Sequence, residues 1–324
     1  MSRAQLTSTV EQNSAGAASP YTAGKNLVIN GAMDIWQRGT SIGYSAFGYC
    51  ADRWAMVSSG PSFTFSQDTT TVPTGFYSSL KVTAPSSGAL AITSAFETKD
   101  VLRFAGQTVT LSVYASSSNL ASLSLELDYS TSIDNSVSGT WTTIASPTAG
   151  TTSTMARYSA TFAVPSTAKS LRVYLGSSLS TSQTLNITGV QLEQGSVATP
   201  FSRAGGTLQG ELALCQRYYW RNSNTTGGTQ TFGLGRSTTI ADCVVANPVV
   251  MRVPATSIDF SGTMYLTDPN VANITVTNLV ISGNNSYVNT VRATVASGLS
   301  QGKVYTYEYG GGGSTAYMGF SAEL

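Results

Sequence analysis

The sequence predicts an all-β chain: two antiparallel β-sandwich, jelly-roll-like domains joined by a short α-helix, with an extended N-terminal anchor segment. Three observations carry this. From about residue 100 apolar and polar side chains alternate with period two, as half-buried strands do. The runs are short and separated by clusters of Gly, Pro, Ser and Asn, the punctuation of antiparallel sandwiches. Only one stretch has helical period, and 324 residues exceed what a single core usually serves, about 250 to 300.

In chain order, residues 1–25 are polar, have no sustained apolar period and read as an extended segment that lies along a partner. The first sandwich is expected over 26–203. Within it Val109, Leu111 and Val113 alternate with hydroxyl residues, as do Leu123, Leu125, Leu127 and Tyr129. The pattern returns at Tyr158, Ala160, Phe162 and Val164, at Leu171, Val173 and Leu175, and at Leu185 and Ile187. Gly189 then shifts the phase to Val190 and Leu192, which marks a bulge. The connecting helix is expected within 204–222, because Leu208, Leu212, Cys215 and Tyr219 share one helical face. Thr207 is its N-cap, and Glu211 complements the dipole in the first turn. Alternation resumes over 223–324, where the last two runs read as a hairpin across Gly310 to Gly313.

Composition excludes several functions. There are 17 basic and 16 acidic residues, no histidine, and 90 serines and threonines. Without imidazole, His-based general base, triad and metal-ligand chemistry is excluded. The basic residues are scattered singly, so no footprint for nucleic acid or an anionic membrane is expected. No long apolar run predicts a membrane span or a signal peptide. Cys50, Cys215 and Cys243 are odd in number and widely spaced, and read as buried reduced thiols. No catalytic residue, cofactor or metal is expected.

Three stretches resemble one family: KNLVINGAMDIWQRGTS at 25–41, YCADRWAM at 49–56, and VQLEQGSVATPFSR followed by ELALCQRYYWR between 190 and 221. Together they are similar to bacteriophage tail-fibre or spike proteins and to appendages of phage-like particles. That resemblance implies a carbohydrate-binding-module-like jelly roll over 26–203 in a non-enzymatic virion protein. Residues 1–25 would attach it to other virion proteins. A homo-oligomer, trimer favoured, would bind a host cell-surface glycan. A virion protein is assembled in the host cytoplasm and released by lysis, which agrees with the expected lack of a signal sequence.

Trp36 and Trp54 read as core residues, since large aromatics dominate core packing. Asp34, Arg38, Asp52 and Arg53 read as bridges pinning the N-terminal strands. The candidate sugar contacts are aromatics beside loop residues, Tyr44, Phe47, Tyr49, Tyr77 and Trp141, and the alternating Tyr305, Tyr307 and Tyr309 on one strand face. The tyrosine ladder fits a subunit interface equally well, and the helical stripe Leu208, Leu212, Cys215 and Tyr219 is the candidate oligomer contact. Glu126 and Asp128, about 7 Å apart on one strand face, match a glycosidase pair in spacing but read better as an exposed sheet face. Asp128, Asp134 and Asn135 offer oxygens to a calcium ion. The competing functions are a collar, neck or capsid decoration protein without a receptor, and a glycan depolymerase.

Overall fold

The structure is a computed structural model describing residues 24–324 apart from 45, 61, 120, 225–227, 269–270 and 311–315. The chain divides into two compact units, Met1–Leu214 with Leu324, and Cys215–Glu323. The expected anchor segment lies almost wholly outside the described residues.

The first unit holds strands β1 (Ser41–Tyr44), β2 (Phe47–Tyr49), β3 (Ala55–Ser59), β4 (Phe63–Asp68), β5 (Ser79–Thr83) and β6 (Gly88–Ala95). A single turn, α1 (Thr98–Val101), precedes β7 (Thr108–Ser117), β8 (Ser122–Ser130), β9 (Thr142–Ala145), β10 (Thr148–Gly150), β11 (Ala156–Ala163), β12 (Ser170–Leu179) and β13 (Thr184–Gln194). One sheet runs β1-β4-β5-β13-β7-β11; the other runs β10-β8-β12-β6-β3-β2, with β9 also on β8. The pairings are antiparallel. The period-two apolar residues meet between the sheets, where Leu111, Val113, Leu125, Leu127, Val173, Leu175, Leu185 and Ile187 are buried together with Trp54. The phase shift in β13 falls between Thr188 and Gln191. Gly189 has φ +60° there, and a Cβ on it would lie 2.8 Å from the rings of Phe76 and Tyr114.

Before β1 the chain is held by side chains rather than by ladders. Asn30, at φ +56°, donates its amide to Ile35 O and Asp52 O, both at 2.9 Å. Its Oδ1 accepts the Asp34 and Ile35 amides at 3.0 Å. The Trp54 indole donates to Asn30 O at 3.0 Å. Asp52 accepts the Gln37 amide at 3.0 Å and lies 4.0 Å from Arg38. Asp34 pairs with Arg203, and Arg53 donates to Ala95 O at 2.6 Å. The charged residues of the two motifs are therefore structural ties, although they pair with different partners than their order suggests. Asn26 does the same for the third motif, bonding Val190 O and Ser202 O while its Oδ1 accepts the Val28 and Leu192 amides.

Helix α2 (Leu208–Gln216) begins as expected, with Thr207 Oγ1 accepting the Gly210 amide at 3.0 Å. Glu211 does more than face the dipole. Its buried carboxylate accepts the Gly205 amide at 2.7 Å and the Asn30 amide. The helix stops at Gln216, so Tyr219 does not extend its face but opens strand β14.

The second unit contains β14 (Tyr219–Asn224), β15 (Gly228–Gly235), β16 (Ile240–Ala246), β17 (Ser257–Ser261) and β18 (Met264–Asp268). They are followed by β19 (Val271–Asn284), β20 (Val288–Val295), β21 (Val304–Tyr309) and β22 (Ala316–Ser321). The class is all-β and antiparallel as expected. Here, however, it takes the form of a closed barrel, β15-β16-β20-β19-β18-β21, with a separate sheet β14-β22-β17, rather than two stacked sheets. The hairpin expected across Gly310 to Gly313 is not formed. Strand β21 pairs with β15 and β18, while β22 pairs with β14 and β17. Period two reports which face a side chain takes, not which strand lies beside it. Gly311 to Gly313 lie outside the described residues.

Replacing Asn30 with Ala orphans two buried amides and two carbonyls, and is expected to cost about 3 kcal/mol or more. Asn30→Asp keeps the size but loses both amide donors and should recover little of this; equilibrium denaturation measures both. Gly31→Ala is expected to cost about 1–3 kcal/mol, because its Cβ would fall 2.1 Å from Val190 O. Wild-type stability for that variant would contradict the close approach.

Candidate glycan-binding groove

The alternation that buries Val173 and Leu175 turns Arg172, Tyr174 and Gly176 to the outer face of the same sheet. The register places Gly176 between Ser124 of β8 and Ala91 of β6, and Ala91 pairs with Val57, itself the partner of Phe47. Thr148 of β10 continues the row beyond Ser124. A line of small or hydroxyl-bearing residues thus crosses five of six strands, ending at Phe47 on the edge. The next row is Tyr49, Ala55, Thr93, Tyr174 and Glu126. Because the floor is glycine, alanine and serine, the Tyr174 ring stands above it.

Two depressions flank that ring. The larger, about 480 Å³, is lined by Ala89, Leu90, Ser122, Ser124, Thr148, Tyr174, Gly176, Ser177 and Ser178. The smaller, about 160 Å³, is lined by Val57, Ser58, Ala89, Leu90 and Tyr174. Neither lining contains a charged residue. The walls are hydroxyls and short apolar groups, which donate and accept neutral hydrogen bonds around an aromatic face.

Behind Tyr174 lies an ion pair. Arg172 grips Asp128 Oδ2 through Nε at 2.9 Å and NH2 at 2.6 Å, and donates NH1 to Val137 O at 2.9 Å. Its guanidinium carbon sits 4.9 Å from the centroid of Trp141 and 5.2 Å from that of Tyr174. Asp128 is fully buried, so Glu126 and Asp128 do not form an exposed sheet face. The pair is equally unsuited to glycoside hydrolysis, since Asp128 is held by Arg172 away from solvent. Glu126 is half-buried and accepts from Thr143 Oγ1 at 3.3 Å. Burial, and then the Asp128 charge, push its carboxyl up. Burial and Glu126 likewise raise the Tyr174 phenol. The calcium set is not assembled, because Asp128 is committed to Arg172 and Asp134 accepts the Thr98 amide at 2.8 Å.

Three of the expected sugar contacts come to this face. Phe47 is 47% exposed at the edge of the groove and meets Tyr49 edge-on at 5.7 Å. Tyr49 is half-buried under Arg38, 4.8 Å from its centroid. Trp141 packs with Ala55, Ala95 and Val137, and its indole donates to Ser136 O at 3.0 Å. Tyr49 and Trp141 therefore support the face more than they present it. Tyr44 belongs to the opposite sheet, lies against Gly48 and donates to Tyr49 O at 3.0 Å. Tyr77 is 69% exposed, on the loop before β5. Its neighbour Phe76 packs on Tyr114 of β7, in the other sheet, and on Phe201.

The tyrosine ladder is overturned as an exposed surface. Tyr305, Tyr307 and Tyr309 are buried in the second unit's core, because β21 lies between two strands of a closed barrel. A buried phenol needs a partner. The Ser300 amide donates to Tyr305 at 2.7 Å, Tyr307 donates to Met264 Sδ at 2.6 Å, and Tyr309 donates to Asn222 O at 3.0 Å. The helical stripe is likewise not a single exposed face. Leu208 is exposed and Leu212 half-buried, but Cys215 and Tyr219 are buried within the chain. Burial pushes the Cys50 and Cys243 thiols up to about 12, which leaves them protonated and unreactive.

The residue the sequence reading passed over is Tyr174. Its signal was present: an aromatic in the polar phase of a strand, two residues before a glycine, points outward over an empty floor.

No family model matches the chain, and no curated protein matches it in sequence. Solved structures resemble part of it. The carbohydrate-binding module TmCBM61, solved with β-1,4-galactotriose, is 8% identical over 52% of this chain and 99% of its own, with a TM-score of 0.36. A tailspike protein 4 domain of bacteriophage CBA120 is 16% identical over 55% of this chain and 22% of its own, with a TM-score of 0.39. A xylan-binding domain is 19% identical over 50% of this chain and 98% of its own, with a TM-score of 0.33. At such scores nothing about activity passes from them to this chain.

Proposed function

We propose that this chain is a non-enzymatic polysaccharide-binding appendage of a phage or phage-like particle, and that it takes a host-surface glycan in the groove beside Tyr174. One observation carries the binding site: a raised tyrosine ring over a Gly176, Ala89 and Ser124 floor, between uncharged hydroxyl-lined walls. A sugar ring offers an apolar face to an aromatic and hydroxyls to neutral donors and acceptors, and the groove supplies both. The absence of charge along it favours a neutral polysaccharide. The virion assignment is supported by the three sequence motifs, with residues 1–25 as the attachment to the particle and a trimer as the assembly.

A second reading, a structural collar or decoration protein without a receptor, is favoured by a different surface. Phe232, Leu234, Val244 and Val304 are exposed on adjacent strands of the barrel, where Leu234 pairs with Val304 and the register sets Phe232 beside Val244. Exposed apolar strips of this kind mark protein contacts.

Affinity electrophoresis against soluble neutral polysaccharides, β-1,4-galactan and xylan among them, separates the readings. The proposed function expects retardation by at least one host-derived polysaccharide. Tyr174→Ala should weaken it at least about tenfold while leaving thermal unfolding unchanged, and Gly176→Val should do likewise by filling the floor. Binding that survives both substitutions places the site elsewhere. No retardation by any host envelope polysaccharide favours the structural reading. A chain lacking residues 1–25 should keep the binding but fail to join particles; normal incorporation would refute the anchor.

A further inference from the structure

The wall behind Tyr174 holds an oxygen that has no donor among the described residues. Arg172 engages Asp128 through Oδ2 alone. Asp128 Oδ1 is buried and has no hydrogen-bond donor among the described residues. A buried carboxylate oxygen left so keeps its full desolvation cost, and native structures seldom carry that cost without a reason. A neighbour able to relieve it is Glu126, two residues along the same strand face, opposite Tyr174 in the register and within side-chain hydrogen-bonding reach of Asp128, whereas Thr143, across from Asp128, donates to Glu126. Two carboxylates cannot bond to one another; a carboxyl and a carboxylate can, through one O–H···O⁻ bond, which is among the shorter and stronger kinds.

We propose that Glu126 and Asp128 share one proton in the folded chain, carried by Glu126 and donated to Asp128 Oδ1, and that its loss turns the wall of the groove from neutral to anionic. The groups facing Glu126 are few. Strand β8 contributes Asp128, β12 contributes Arg172 and Tyr174, and the β9 side contributes the uncharged Thr143 and Ser146. With the proton in place, Glu126, Asp128 and Arg172 sum to zero. Without it they sum to one negative charge beside the ring that faces the ligand. The upward displacement of the Glu126 carboxyl, by burial first and by Asp128 next, points the same way.

The sign for stability follows. A carboxyl whose pKa is higher folded than unfolded binds more protons in the native state, so its contribution declines as pH rises from the ordinary glutamate value through the raised one. The consequence for binding rests on the groove being the glycan site; the shared proton does not.

Carbon-13 titration of side-chain carboxyls on the full chain tests the pair directly. One glutamate resonance should titrate above the ordinary range and be missing in Glu126→Gln, whose amide can donate to Asp128 Oδ1 at every pH. The variant should fold and should gain stability relative to wild type as pH rises through the Glu126 midpoint. An ordinary Glu126 midpoint, or a variant that loses stability equally at all pH values, overturns the proposal. With β-1,4-galactan as probe, wild-type affinity should change severalfold across the same midpoint and the variant's should not. If no polysaccharide is bound while the raised midpoint is found, the glycan-binding reading fails and the proton pair stands.

Discussion

The carboxamide of Asn30 is the point on which the first unit turns. Both its donors and its acceptor are used within the segment 30–54, and its backbone takes one bond from the Trp54 indole and gives one to Glu211. Residues 30–40 lie in no strand, yet they must deliver β2 and β3 to the edge of the sheet that carries the groove. Buried side-chain amides do what ladders do elsewhere, because each satisfies several backbone groups at once. Asn26, Gln191 and Glu193 repeat the device where the chain leaves β13: Gln191 accepts the Ser202 amide at 2.8 Å, and Glu193 accepts that of Thr199 at 2.9 Å. The motifs at 25–41, 49–56 and 190–203 are thus one polar network seen in three pieces. Their polar residues bind the chain to itself, and none of them lines the groove.

What could be read from the sequence was set by the length scale of the signal. Strands β7, β8, β11, β12 and β13 run eight to eleven residues, long enough for period two to stand out, and the phase shift at Gly189 gave the bulge. Strands β1 and β2 run four and three residues, too short for any period, and their place is decided by the Asn30 and Asp52 bonds. Pairing partners were not legible, so the barrel closure and the separation of β21 from β22 were not either. The same limit governs the site. Alternation showed that Tyr305, Tyr307 and Tyr309 share a face but not that the face is the inside of a barrel. Glu126 and Asp128 share a face as well, but their difference comes from Arg172, 44 positions from Asp128 in sequence and directly opposite it in the sheet.

Arg172 ties that face together. A buried ion pair gives little net stability over a well-packed apolar substitute, so its effect here is better sought in geometry. The guanidinium is fixed in its plane by three hydrogen bonds, two to Asp128 and one to Val137. Rings lie within cation–π reach on both Trp141 and Tyr174. An immobile cation between two aromatics leaves Tyr174 little freedom to fall onto the empty floor beside Gly176. On the proposed function, a ring held upright in advance would lose less conformational entropy on binding. Trp141 therefore contributes to the groove without lining it.

The surplus of hydroxyls over charges acquires a specific meaning in this arrangement. The chain has 33 charged residues in 324, and the ion pair behind Tyr174 is placed where a neutral groove meets its charged backing. The groove lining itself carries none. On the proposed function, serine and threonine walls would let a neutral polymer exchange its water hydrogen bonds for protein ones without the desolvation cost of a charge. That cost falls instead on Asp128 and Glu126, which sit behind the ring, compensated by Arg172. On the proposed shared proton, the charge of this backing varies beside the groove, and a single proton sets it.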